Sequence, residues 1–138
     1  MKRGANGARE PRTAVKTKNA PAPGGTYSQA ISSGGHIYVS GSGPFDPRTH
    51  KIVGRTIKAQ TRRTLKNIGA ILKAGGASLK DVVKVTIYLR DMRDFEEMDK
   101  TYKTFFSKDP PARTTVEVKL FGKERMLAVD AEAVKPSK

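Results

Sequence analysis

The side chains in this chain that could do chemistry are few in kind. Cysteine is absent, which removes a thiol nucleophile, a disulfide and a thiolate metal ligand. His36 and His50 stand fourteen positions apart with no acidic cluster at ligand spacing, so a metal site is not expected. The nucleophile motif of a Ser-His-Asp hydrolase is missing. Gly41-Ser42-Gly43 lacks the third glycine and the following helix of a dinucleotide fingerprint, and no phosphate-cradling P-loop occurs. What remains are mostly polar residues at alternating positions: Arg113, Thr115 and Glu117, then Asp130 and Glu132 in line with the apolar Ala128, with Tyr38, Ser40, Thr86 and Tyr88 earlier in the chain. Strand side chains alternate, so these residues should share the sheet face opposite the helices. Such a face is either plain solvent-exposed surface or a subunit interface with polar pockets in it.

The elements that would position this face are legible as periodicities. Tyr27 to Ser33 and His36 to Gly41 flank Gly34-Gly35, a pair able to supply the positive φ angles of a tight hairpin. Phe45 to Val53 reads as a loop with a short extended piece. Thr56 to Ala74 puts Thr61, Leu65, Ile68 and Leu72 on one face and Lys58, Arg62, Arg63, Lys66 and Lys73 mostly off it, an amphipathic helix stopped by Gly75-Gly76. Val82 to Arg90 alternates strictly, with Val83, Val85, Ile87 and Leu89 expected inward. Asp94 and Glu97 have capping-box spacing ahead of a second helix carrying Phe95, Met98 and Tyr102, which Pro110-Pro111 ends. Thr114 to Leu120 then places Val116, Val118 and Leu120 inward, and Met126 to Val134 places Leu127, Val129, Ala131 and Ala133 inward. The assembly these elements predict is α+β, a two-layer sandwich of one mixed sheet with two helices on one face.

With 138 residues the chain fits one domain. No stretch approaches the roughly 20 apolar residues needed to cross a bilayer and no signal-peptide core is visible, so a soluble, cytoplasmic protein with no membrane partner is expected. The 27 Lys and Arg against 13 Asp and Glu give +14, which attracts anions of any kind. Residues 1–24 hold six basic side chains and one acid with almost no sizeable apolar residue, and read as a flexible basic arm ahead of a domain over 25–138. The arm lacks the apolar stripe of a mitochondrial presequence. The rest of the charge is spread along the chain without an interleaved aromatic-basic pattern, so any RNA association should be weak and non-specific.

Taken in order, Ala22-Pro23, Tyr27-Ser28-Gln29-Ala30, Val39-Ser40-Gly41, Pro44 with Asp46-Pro47, Gln60-Thr61-Arg62, Asp81-Val82-Val83-Lys84 and Pro110-Pro111-Ala112-Arg113 form one pattern over some 115 residues. That pattern resembles the Rid (YjgF, imine deaminase) family, also called endoribonuclease L-PSP. The resemblance implies a chorismate-mutase-like sandwich, a homotrimer with ligand clefts between subunits, and no cofactor. It also implies hydrolysis of enamines and imines (2-aminoacrylate, 2-iminopropanoate, 2-iminobutanoate) to 2-keto acids and ammonia. Non-catalytic binding of small carboxylates and RNA cleavage as a translation inhibitor are the alternatives. Carried over by position, Arg113 is the residue that binds the substrate carboxylate, Tyr27 borders the cleft, the backbone of Ser40 and Gly41 lines it, and Asp99 lies near it. Three positions depart from the pattern. Thr115 stands where many members have cysteine, Thr26 where a proline usually precedes the tyrosine, and Ala128 where active members carry the glutamate that holds the attacking water.

Overall fold

The computed structural model of the chain describes residues 11–137. Six strands form one sheet in the order β1-β2-β3-β6-β4-β5: β1 Thr13–Val15, β2 Ala30–Ser33, β3 His36–Ser42, β4 Val82–Leu89, β5 Ala112–Glu117 and β6 Leu127–Val134. Only β4 and β5 are parallel among the paired strands. The reason is the connection between them, which crosses over through the helix α2, Phe95–Phe105. The other helix, α1 (Ile57–Ala74), carries the chain from β3 to β4 and leaves a gap that β6 later fills between them. Both helices cover one face, where α1 packs on α2, β3 and β6. The core lies in that layer. Leu65, Ile68 and Leu72 of α1 meet Ile37, Val85, Ile87, Leu127 and Val129 of the sheet, all essentially without solvent contact. The expected α+β sandwich with a mixed sheet is therefore present.

Local signals account for the element ends. Gly34 and Gly35 have φ of 56° and 81°, the pair of left-handed residues a two-residue hairpin requires. Thr56 caps α1 by accepting a hydrogen bond from the Ala59 N–H. The capping box expected at Asp94 does not form. Asp94 is itself helical and its side chain caps nothing, because a 3-10 turn at Met92–Asp94 precedes α2 and Asp91 caps that turn.

Three further expectations are corrected. The segment before Gly24 is not all a loose arm: Thr13–Val15 pairs antiparallel with β2, and Val15 and Ala20 are buried. Residues 1–10 of that arm lie outside the described residues. Val83 faces outward with 47% exposure and Val82 is buried instead, because the β4–β6 register shifts between Val82 and Lys84 and a bulge reverses the alternation there. The largest correction concerns β5. Its register pairs Arg113 with Val85, Thr115 with Ile87 and Glu117 with Leu89, so these three polar residues point to the helix side and Val116 to the open face. This edge strand buries neither side fully, so its alternation carries no sign of which side is inward.

Candidate functional site

Two clusters of functional side chains stand at different places on the sheet. The first surrounds a cleft of about 610 Å³ beside β3. Three buried amide side chains build its walls. Gln29, beside β2, donates to the carbonyls of Thr17, Ala20 and Pro21 and accepts from the Thr17 N–H, which fixes the turn between β1 and the cleft. Asn67 of α1 donates to the carbonyls of Gly43 and Phe45, which fixes the loop after β3. Gln60, two turns earlier on the same helix, donates to the carbonyls of Gly54 and Glu124 and accepts from the Met126 N–H, which fixes the approach to β6. Each amide replaces several backbone partners that would otherwise be unmet in the interior. Between these walls lie Tyr27, Ser40, Gly41, Phe45, His50, Phe121 and Arg125.

Tyr27 stands on a loop, not in a strand, and its hydroxyl accepts a 3.0 Å hydrogen bond from the Gly24 N–H. That bond closes the loop that holds Thr26. Ser40 donates to the Ser28 carbonyl at 2.6 Å, so its hydroxyl is tied back to the β2 side. Arg125 stacks on the Phe45 ring at 5.5 Å and donates from Nε to the Leu127 carbonyl. A Cβ at Gly43 would sit 2.6 Å from the Phe45 ring and 3.0 Å from the Arg125 guanidinium, so only glycine allows that approach.

The second cluster is at the β5 edge. The Arg113 guanidinium lies 4.7 Å from the Tyr102 ring centre and 5.5 Å from that of Phe95, both on α2, and its Nη1 donates to Asp99 Oδ1 at 2.7 Å. Two aromatic faces and a carboxylate thus hold the fork in one orientation. Burial pushes the Tyr102 phenol up to about 12, so it stays neutral beside the cation, and its hydroxyl finds no hydrogen-bond partner among the described residues.

The sequence-predicted residues accordingly separate into two sets. Tyr27, Ser40 and Gly41 converge on the cleft, and Arg113 and Asp99 form an ion pair. Thr115 follows Arg113 on the same side of β5. Ser40 and Arg113, one from each set, stand on β3 and β5, which β6 and β4 separate by about 14 Å at the usual strand spacing. Ala128 is on the open face, paired with Tyr88, and is buried. The expectation that Arg113 and Ala128 share a face is therefore wrong within one copy. Next to Ala128 on that face, Asp130 accepts a 2.9 Å hydrogen bond from the Tyr88 hydroxyl, which raises the Tyr88 pKa.

The family model described as endoribonuclease L-PSP matches residues 17–135. A RutC family protein of Pyrococcus horikoshii is 48% identical over 121 residues, 88% of this chain and 96% of that protein. The chain belongs to the Rid family. A 2-iminobutanoate/2-iminopropanoate deaminase of Salmonella typhimurium is 37% identical over 124 residues, covering 88% of this chain and 96% of its own. The crystal structure of the YjgF gene product of E. coli superposes with a TM-score of 0.84 at 35% identity, over 90% of this chain and 99% of that one.

Several residues of this Rid cleft were not singled out from sequence: Arg125, Phe45, His50 and Phe121 as lining, and Gln29, Gln60 and Asn67 as its supports. Gln60 and Asn67 did leave a signal, since both fall on the buried stripe of α1, where an amide needs a reason to be. Arg125 left none beyond standing just ahead of an apolar alternation. Among the described residues no group of three or more His, Asp or Glu is placed to hold a metal ion, and no helix is long and apolar enough to cross a membrane.

Proposed function

We propose that this Rid-family chain hydrolyses reactive 2-imino acids and their enamine tautomers to 2-keto acids and ammonia, in clefts formed between the copies of a homotrimer. The observation that carries the reading is the split itself. A guanidinium held rigidly at the β5 edge of the sheet and a lined cleft beside β3 make one complete site when two copies meet edge to cleft, as the family resemblance implies. Arg113 would hold the substrate carboxylate through parallel charge-assisted hydrogen bonds, with Tyr27, Ser40 and Gly41 of the adjoining copy closing over the rest. The protonated imine carbon is already electrophilic, so placement of substrate and water supplies most of what the reaction needs. Water oxygen bonds to that carbon, the carbon–nitrogen bond of the resulting carbinolamine breaks, and both water protons leave on nitrogen as ammonium. The other product is the 2-keto carboxylate.

Ala128 favours a second reading, a carboxylate-binding member without the water-holding group. A threonine dehydratase coupled to this protein separates the two. Imine decay faster than the spontaneous rate supports the deaminase; keto-acid binding with unchanged decay supports the binder, and absence of both sinks the proposal.

A further inference from the structure

Arg125 lines the cleft, and the reading above gives it no role. It is largely withdrawn from water, and that burial lowers its pKa. Its backbone is pinned on both sides, by Gln60 to Glu124 and Met126 and by Arg90 Nε donating to the Arg125 carbonyl at 2.7 Å. The guanidinium spends one donor, Nε, on the Leu127 carbonyl, and among the described residues no carboxylate lies within ion-pair distance of it. The charged or ionisable neighbours that act on it are Tyr27, across the cleft, and a second cation, Arg90. A partly buried guanidinium on the wall of a cleft, beside another cation and with no protein carboxylate to meet it, is costly to keep unless a ligand completes it.

We infer that Arg125 binds a second carboxylate, so that the site takes 2-imino acids with an acidic side chain, Arg113 holding the α-carboxylate and Arg125 the distal one. This inference rests on the proposed keto-acid site and extends it from monocarboxylates to dicarboxylates. Gly43 and the Phe45 ring lie against the guanidinium, and such a fork matches a planar carboxylate better than a point anion such as chloride.

The test is calorimetry of the intact protein with two stable product analogues, 2-ketobutyrate and 2-oxoglutarate. In the parent, 2-oxoglutarate should bind about tenfold or more tighter than 2-ketobutyrate, the scale of one charge-assisted paired contact. Arg125→Gln should erase that preference, so that the two keto acids bind with equal affinity, and the 2-ketobutyrate binding that remains certifies the fold. Arg62→Gln removes the same charge from the exposed side of α1 and should leave both affinities alone. Equal affinities in the parent, or equal weakening by Arg125→Gln and Arg62→Gln, would overturn the inference while the monocarboxylate site stands. Loss of both ligands in Arg125→Gln and Arg125→Met would assign the arginine to the cleft's structure and overturn it too. If the parent binds neither ligand, the proposed function itself falls.

Discussion

Replacing Arg113 by lysine keeps the charge and discards the geometry, which makes it the sharpest probe of the carboxylate anchor. In the structure the guanidinium serves three partners at once: Asp99 through Nη1 at 2.7 Å, and the faces of Tyr102 and Phe95. Asp99 occupies one edge of the fork, so the remaining donors are what a substrate carboxylate can take. An ammonium at this position offers a single mobile charge that Asp99 would capture, leaving no second edge for the ligand. The lost paired contact is worth roughly 1.5–3 kcal/mol, one to two decades in affinity. Arg113→Lys should therefore bind 2-ketobutyrate almost as poorly as Arg113→Ala, and Arg62→Lys, on the wet side of α1, should bind like the parent. Asp99→Asn adds a check on sign. It retains a hydrogen-bond acceptor, releases the cation from its protein counter-ion and should tighten binding a few-fold at most, because Asp99 is half exposed and its attraction is screened. Calorimetry on the set decides it: parental affinity in Arg113→Lys would refute the anchor.

The remaining predictions concern water, stability and charge. Ala128→Glu should raise imine hydrolysis on the order of 10–100-fold, the range of a positioned proton-transfer group; equal rates in coupled assays of the two proteins would mean that Asp130 or another group already serves. Gln60→Leu removes three hydrogen bonds that fasten Gly54, Glu124 and Met126, and should lower stability by about 2–3 kcal/mol in urea unfolding, since buried backbone partners are left unmet. A change under half of that would show these groups to be solvated. RNA association, if the charge is only surface, should be weak, indifferent to sequence and lost steeply with salt; a sequence-preferring complex that survives physiological salt in filter binding would refute this.

What the sequence disclosed, and what it hid, follows from burial. The stripe of α1, the alternation of β6 and the glycine hairpin were readable because each is constrained from one side by the core or by backbone geometry. Val83 escaped because a bulge adds a residue without leaving a mark in the alternation. Arg113 was picked out through the Pro-Pro-Ala-Arg resemblance, yet its face was misjudged because an edge strand has no buried side to set the phase. The short strand at Thr13–Val15 was invisible for a related reason. Its only buried residue is Val15, and its attachment is backbone pairing with β2, roughly fifteen to twenty residues along the chain. The cleft's supports are long-range hydrogen bonds, and no local pattern announces those.

The central claim is that one site is assembled from two copies, with Arg113 from one and Tyr27 from the next. Arg113→Ala and Tyr27→Ala chains, each deficient alone, are unfolded together in equal amounts and refolded. Their 2-ketobutyrate sites per chain are then counted by calorimetry, alongside light scattering for a trimer near 45 kDa, about three times the 15.0 kDa chain. Random mixing gives each intersubunit site an intact arginine half with probability one half and an intact tyrosine half with probability one half, so about one quarter of the parental sites should return. Recovery near that fraction is the predicted result; no recovery above either variant alone, or a monomer in solution, would contradict the account.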